Sequence, residues 1–347
     1  MSETYISQVY PSDKRTMARV DTLLQQEGIR LDTNLDYTCA MFDEDGQAIA
    51  TGSCFGSTLR CFAVDHTHQG EGLLNQIVTH LIDYQASRGQ IHLFLYTKVN
   101  TARFFGDLGF HEIARVEGKL VFMENRRNGF PGYLKQLEST RQDGVSAAVV
   151  MNANPFTKGH LYLLEKAASA CDTLHLFIVS EDRSFFPFSV RRTLVERGCA
   201  HLKNIVFHDC GPYIISSATF PSYFLKDETD VIVGQARLDV EVFKKIAGTL
   251  NITARWAGEE PTSQVTRLYN QVMSEELPKA GIRFMEIPRA EKNGVVISAS
   301  TVRKALQAGD FRALQDMVPE TTLEYLMSPE AGPVLEKLRR AENVVHH

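Results

Sequence analysis

The sequence has little of what marks a secreted, metal-clustering or membrane-embedded protein. Its first residues, MSETYISQVYPSDKR, lack a basic stretch followed by an apolar run, and no apolar run elsewhere approaches membrane-spanning length. Secretion and membrane insertion are therefore not expected, and the expected compartment is the cytoplasm. The six cysteines (Cys39, Cys54, Cys61, Cys171, Cys199 and Cys210) form no CxxC pair and follow no zinc or disulfide spacing. They read as reduced, mostly buried small hydrophobes, and no protein-held metal is expected. Excess positive charge is missing as well: 37 Lys and Arg face 42 Asp and Glu, a formal net charge of -5. That excludes a general field for attracting nucleic acid or an anionic membrane, so any phosphate site must be local. There is no internal repeat and no low-complexity segment.

What is present is enough apolar material for two cores. A chain of 347 residues exceeds what one hydrophobic core usually serves, and 44% hydrophobic with 23% charged residues is ordinary for a globular protein. In the first third, short apolar strands cluster, as in Tyr37 to Phe42, the turn DEDGQ, and Ala48 to Phe55, which predicts a hairpin-rich mixed sheet. Leu73, Leu74, Ile77, Val78, Leu81 and Ile82 recur at helical spacing and predict an amphipathic helix from Leu73 to Tyr84. Between Asn125 and Gly144 the chain turns polar and punctuated, with one short helical stretch expected to bridge two domains, which places a boundary there. The expected organisation is a domain over 1–125, a linker over 126–143 and a second domain over 144–347. From Val145 the pattern is strand, loop, helix, repeated, with strands expected at SAAVVM, LHLFIVS, IVF, DVIVG and ITARW. Continuous apolar strands separated by helices argue for a parallel sheet covered on both faces, so the expected class is α/β.

Two segments in each half invite a chemical reading. In VDHTHQGEGLL (Val64 to Leu74), Gly70 and Gly72 either make the turn possible or leave N–H groups exposed at a helix start for a pyrophosphate. His66 and His68, with no evident third ligand, read as solvated. In VVMNANPFTKGHLYLLEKA (Val149 to Ala167), a strand, a loop broken at Asn154-Pro155 and a helix opening at Gly159-His160 aim N–H groups and an imidazole at a strand's carboxyl end. His160 there is either a ligand-facing group or a residue making a local hydrogen bond. VVISASTVRKAL (Val295 to Leu306) repeats the strand-to-helix pattern, and Ser300 or Thr301 either caps the helix or meets phosphate. Glu259 and Glu260 before Pro261 read as an exposed turn or a magnesium contact, and Arg191 or Arg192 as a guide for an anionic group or as an ion-pair partner.

The front segments resemble the GCN5-related N-acetyltransferase (GNAT) fold. Gln69 and Gly72 match its pyrophosphate loop, Leu74 stands where a small residue is usual, and NTARFFGDLGF matches a later motif with Phe105 in place of the common tyrosine. A phenyl ring has no proton to give, so the usual general acid is missing. The back segments resemble the nucleotidylyltransferase superfamily, marked by His-x-Gly-His early and Ile-Ser-x-Ser/Thr-x-x-Arg late, with Thr157 replacing the first histidine. The conjunction of a GNAT-like mixed-sheet front, NANPFTKGH, GEEPTSQVTRLYN (Gly258 to Asn270) and ISASTVR on a Rossmann-like parallel sheet resembles the citrate lyase ligase family.

The resemblance implies activation of acetate by ATP with Mg²⁺, then acetylation of the thiol on the CoA-like prosthetic group of the citrate lyase acyl carrier subunit, with neither nucleic acid nor membrane as partner. It implies His160 at the α-phosphate, Thr157 beside it, and Ser298, Ser300, Thr301 and Arg303 on the outer phosphates. Asn154, Phe156, Lys158 and Gly159 would complete the nucleotide site, and no residue would bind a metal. Alternatives are an adenylyltransferase acting on a phosphorylated acceptor, an acetyl-CoA-dependent N-acetyltransferase in the front domain, and a front domain that serves only to dock the carrier.

Overall fold

The structure, a computed structural model, describes residues 5–32, 34–180, 184–214, 228–259, 263–292 and 295–344. These divide into two compact units, 1–133 with 228–242 and 134–214 with 243–347, each over its described residues.

The first unit contains β1 (Ile6–Gln8), α1 (Lys14–Gln26), β2 (Tyr37–Phe42), β3 (Ala48–Phe55), β4 (Thr58–Val64), α2 (Leu73–Ser87), β5 (Phe94–Lys98), α3 (Ala102–Asp107), β6 (His111–Val116) and β7 (Leu120–Glu124). Its seven strands run in the order β1-β2-β3-β4-β5-β7-β6. All neighbours are antiparallel except β4 and β5, which pair in parallel only at Thr58 with Phe94 and Leu59 with Leu95. Alternation along the strands sends Cys39, Met41 and Ile49 to a core shared with Leu73, Ile77, Val78 and Leu81 of α2, and Ala40 and Cys61 to a core shared with Val20, Leu23 and Leu24 of α1. The expected hairpin and the expected helix are both here.

Helix α2 lies so close to the sheet that a Cβ at Gly52 would meet Ile77 Cγ2 at 2.5 Å, so only glycine fits under it. Gly70 and Gly72 have φ of 92° and 78°, a region glycine enters without penalty, so the turn itself requires them. Phe105 is buried against Phe62 and Phe110 and acts as a core residue. His66 is exposed, and His68 Nδ1 lies 3.4 Å from Asp65 Oδ1. Helix α4 (Gly129–Glu138) occupies the segment expected to be a linker, and buried Glu124 accepts the Phe130 N–H at its start.

Beyond α4 come β8 (Ser146–Met151), α5 (Lys158–Ala168), β9 (Thr173–Ile178), α6 (Phe188–Gly198), β10 (Ile205–Asp209), α7 (Glu228–Leu250), β11 (Ile252–Gly258), α8 (Gln264–Glu276) and β12 (Arg283–Ile287). A small hairpin, β13 (Glu291–Lys292) with β14 (Val295–Val296), leads into α9 (Ala299–Ala308), α10 (Phe311–Met317), α11 (Glu320–Met327) and α12 (Gly332–Arg340). The sheet order is β10-β9-β8-β11-β12, with every pair parallel. The expected α/β class, a mixed sheet followed by a parallel one, is the class observed.

One local expectation changes, and one strand goes beyond those expected. DVIVG is not a strand: Asp230 to Gly234 lie in α7. Downstream, Ala236, Val240, Phe243, Ala247 and Leu250 are buried at helical spacing, and that long stripe outweighs the strand propensity of Val231, Ile232 and Val233. The edge strand β12 escaped notice because its half-exposed RFMEI lacks the continuous apolar run of a strand buried on both faces. The apolar strand expected before the serines is β14, which pairs with β13 in a hairpin of its own.

No disulfide joins any of the six cysteines, and five are buried while Cys171 is partly exposed. Burial pushes the Cys39 and Cys61 thiols up to about 12 and those of Cys54, Cys171 and Cys199 up to about 11, so none of these five is a thiolate at neutral pH. Among the described residues no helix is long and apolar enough to cross a membrane.

Neighbouring strands bring His175 Nδ1 within 2.9 Å of His208 Nε2, both side chains being buried. Such a contact needs one ring to donate and the other to accept, so full protonation breaks it. Burial lowers both pKa values to about 4. Since the folded values lie below the unfolded one, this contribution is complete above about pH 6.5 and is lost as pH falls toward 4, by roughly 2 kcal/mol per ring at pH 5. Denaturant titrations between pH 7 and pH 5 are expected to show that loss in the wild type and a flatter profile in a His175→Leu, His208→Leu double variant. Equal pH dependence of the two proteins would contradict the assignment.

Candidate active site

In chain order the parallel strands read 3-2-1-4-5, so the winding direction reverses between β8 and β11. In open α/β sheets the crevice at such a reversal, beyond the carboxyl ends of the strands, is where ligands collect. Four connections emerge on that side of the second unit: the loop after β8, the start of α5, the segment after β12, and the start of α9.

The loop Asn152 to Phe156 is held from several directions. Ala153 sits at φ 51°, a left-handed conformation that costs a non-glycine residue energy and persists only where its surroundings impose it. The Asn154-Pro155 peptide is cis. Arg191, wholly buried, donates from Nη1 to the Asn152 carbonyl (2.8 Å), Asn152 Oδ1 (2.9 Å) and the Val179 carbonyl (2.8 Å), and from Nε to the Phe186 carbonyl (3.0 Å). Asn154 Oδ1 accepts the Phe186 N–H at 3.1 Å. Arg191 thus ties the ends of β8 and β9 to the chain entering α6, and Arg192 pairs with Glu196 and Asp209. The reading of either arginine as a guide for an anionic group gives way to these structural contacts.

Helix α5 opens with a capping box. Thr157 Oγ1 accepts the His160 N–H at 3.3 Å, while the Thr157 N–H donates to His160 Nδ1 at 3.1 Å and the Thr157 hydroxyl lies 2.9 Å from the same nitrogen. A backbone N–H can only donate, so Nδ1 is the acceptor and the ring proton resides on Nε2. Burial, then the charges of Arg289 and Arg303, lower the His160 pKa to about 4. The imidazole at neutral pH is therefore an uncharged donor through Nε2. Phe156, fully buried, stacks on it with centroids 5.9 Å apart. A Cβ at Gly198 would meet Phe156 Cε1 at 2.5 Å, so glycine there makes room for the ring.

The second helix start meets the first. A Cβ on Gly159 would lie 2.7 Å from the Ile297 carbonyl oxygen, a backbone atom. One residue on, Ser298 caps α9: its Oγ accepts the Thr301 N–H (3.1 Å) and lies 2.9 Å from Ser300 Oγ and 2.7 Å from Thr301 Oγ1. Three hydroxyls and the first N–H groups of a ten-residue helix thus cluster beside the first turn of α5. Arg303, 3% exposed, braces the pair from behind by donating from Nε to the Val344 carbonyl at 2.6 Å and from Nη1 to the Asn154 carbonyl. Burial lowers its pKa to about 10, which leaves it charged at neutral pH. Lys158 Nζ donates to the Gln315 carbonyl at 2.8 Å.

The sequence motifs therefore converge. Asn154, Phe156, Thr157, Gly159, His160, Ser298, Ser300, Thr301 and Arg303 gather at one edge of the sheet, whereas Lys158 turns toward α10. Glu259 is exposed, and Glu260 to Thr262 of the GEEPTSQVTRLYN segment lie outside the described residues. Arg289 was missed. Its local context, PRAEKNG, carries no periodicity, and β12, which delivers it, was itself invisible.

The convergence is open to a direct check. Gly159→Ala would drive a methyl into a peptide carbonyl that cannot rotate away, and such overpacking costs ~1–3 kcal/mol. A lowered denaturation midpoint is the expected result, and wild-type stability would show the helix starts to be farther apart.

Residues 146–326 match the family model described as the citrate lyase ligase C-terminal domain. The chain is 37% identical to "[Citrate [pro-3S]-lyase] ligase" of Haemophilus influenzae over 91% of its length and 96% of the relative's. It is 38% identical to the protein of the same name in Klebsiella pneumoniae over 91% and 94%. Among solved structures, a Vibrio parahaemolyticus protein assigned as a nicotinate-nucleotide adenylyltransferase aligns over 56% of this chain and 98% of its own, at 16% identity and a TM-score of 0.37. Glucosamine-6-phosphate N-acetyltransferase from Arabidopsis thaliana aligns over 34% and 98%, at 20% identity and a TM-score of 0.29. Identity at this level, sustained along nearly the full length of both curated relatives, means that the chain belongs to the [citrate (pro-3S)-lyase] ligase family of enzymes.

Proposed function

We propose that the protein activates acetate with ATP and passes the acetyl group to the prosthetic-group thiol of the citrate lyase acyl carrier subunit. The observation that carries this reading is the close approach of two helix N-termini, at Gly159 and Ser298, with a neutral imidazole donor on the first turn of α5. Helix starts present N–H groups and partial positive charge, the environment a chain of phosphates requires.

In the first step an acetate oxygen attacks the α-phosphorus, the bond to the oxygen bridging α- and β-phosphate breaks, and pyrophosphate leaves with that electron pair. In the second the carrier's thiolate attacks the acetyl carbon, a thioester forms, and AMP departs. The enzyme's share is positioning and stabilisation of charge on phosphate oxygens. His160 donates from Nε2 to an α-phosphate oxygen, and Thr157 fixes its tautomer and plane. Ser298, Ser300 and Thr301 donate to the β- and γ-phosphates. Gly159 permits the close approach of the Ile297 carbonyl that brings the second helix start alongside, while Asn154 and Phe156 hold the loop and the imidazole. Arg303 is braced on main-chain carbonyls, which suits a positioning role with its charge added to the local field. Lys158 supplies charge at the rim. ATP enters as its magnesium complex, the ion held by the phosphates; among the described residues no cluster of His, Cys, Asp or Glu suits a metal. The thiol belongs to the carrier, in keeping with the raised pKa values of the enzyme's own cysteines.

Incubation with ATP, Mg²⁺ and a panel of short carboxylic acids, with AMP and pyrophosphate recorded, tests reaction and substrate together. Acetate-dependent exchange of pyrophosphate into ATP is the expected outcome, and turnover only with a phosphorylated acceptor would redirect the reading to cofactor biosynthesis. In the same assay His160→Ala should lower exchange by roughly 10²- to 10³-fold, the range for losing one preorganised donor, and His160→Asn, which keeps a donor, should lose less.

A further inference from the structure

Resting on the acid-activating reading above, we infer that Asn152 and Ser180 form the subsite that receives the carboxylate of the acid. Asn152 directly follows β8 and Ser180 lies two residues past β9, both on the carboxyl edge of the parallel sheet. The Val179 N–H donates to the Met151 carbonyl at 3.0 Å and keeps the two strand ends side by side. Asn152 also opens the loop that runs to Thr157, the cap of the helix that carries His160. Each of the two side chains has hydrogen-bonding capacity that the fold leaves unused. Ser180 Oγ is shut off from solvent and meets no partner among the described residues. A buried hydroxyl without a partner costs stability, and a ligand oxygen would remove that cost. Asn152 is half-buried, and its Oδ1 accepts from Arg191 Nη1 at 2.9 Å and from the Ser184 hydroxyl at 3.3 Å. A guanidinium can only donate, so Arg191 decides which way the amide faces. Its Nδ2 then meets Ser184 Oγ at 3.2 Å, a contact that uses one of the two N–H groups and leaves the other for a ligand.

The chemistry of the attack suits neutral donors at this place. The oxygen that forms the bond to the α-phosphorus must keep a lone pair free, while the bond to the bridging oxygen breaks and pyrophosphate departs with its electrons. A guanidinium fork would engage both carboxylate oxygens at once. One amide N–H and one hydroxyl can instead hold a single oxygen and leave the other free to attack. Positive charge is supplied at one remove, because Arg191 is wholly buried and polarises the Asn152 amide through Oδ1. Asn152 and Ser180 are thus binding residues for the acid, and Arg191 is a positioning residue that acts through Asn152.

Asn152→Asp separates a binding role from a structural one. The aspartate keeps the oxygen that Arg191 needs, so the melting temperature should stay near wild type, but it removes the donor and sets one carboxylate against another. In acetate-dependent exchange of pyrophosphate into ATP, the KM for acetate is expected to rise by about 10-fold or more in Asn152→Asp and by about 10-fold in Ser180→Ala, the range for losing a hydrogen bond to a charged group. The ATP dissociation constant of each variant, read by isothermal titration without acid, should move much less than its KM for acetate. An unchanged KM for acetate in either variant overturns the inference, as does an equal rise in the ATP dissociation constant, which would put the pair on the nucleotide. Wild-type protein that binds ATP yet exchanges pyrophosphate with no carboxylic acid would defeat the acid-activating reading and this inference together, whereas normal wild-type exchange with an unmoved KM in a variant would defeat this inference alone.

Discussion

The contact between the Ile297 carbonyl and the first turn of α5 is the constraint on which the second unit's chemistry depends. It requires glycine at position 159, because any side chain would occupy the place of a peptide oxygen. It also brings two sets of unsatisfied helix N–H groups to one spot, where their partial charges add in place of being dispersed over the surface. The supporting contacts all stabilise that arrangement: Arg303 ties α9 to the Asn154 loop, Arg191 ties that loop to β9 and the entry of α6, and Gly198 leaves space for Phe156.

The imidazole at the centre illustrates how local hydrogen bonding sets chemistry. A capping box is ordinarily a device for starting a helix, with Glu or Gln in its last position. Here histidine fills that position, so the same bonds that satisfy the Thr157 N–H also assign the ring proton to Nε2. Burial beside two guanidinium groups then excludes the imidazolium form. The result is a donor whose strength does not change across the physiological range, suited to a site already rich in fixed positive charge.

The front unit is organised around a different feature. Its sheet is antiparallel except where β4 and β5 meet, and these remain in register for only two residue pairs before their carboxyl ends diverge. Gly70 and Gly72 shape the turn that leads into α2 beside that divergence. Phe105 is packed into the core between Phe62 and Phe110. Its environment is the apolar cluster under α2.

How much was legible follows from the range of each interaction. The hairpin of β2 and β3, the stripe of α2 and the buried strands β8, β9 and β11 could be read because their signals lie within a few residues and repeat with a fixed period. Thr157, Gly159, His160 and Ser298 could be singled out because strand-to-helix turns have a recognisable grammar of small, hydroxylated and ring-bearing residues. DVIVG was misread because three β-branched residues carry a local preference that a 23-residue helix overrides through distant packing. By itself the sequence determined the two sheets, most of the elements around them and the strand-to-helix turns at Gly159 and Ser298, since these arise from periodicity and local turn chemistry. Only the tertiary structure decided that Arg303 braces main-chain carbonyls, that Thr157 fixes a tautomer, and that Arg289 stands beside them, because each depends on backbone atoms brought together from separate ends of the sheet.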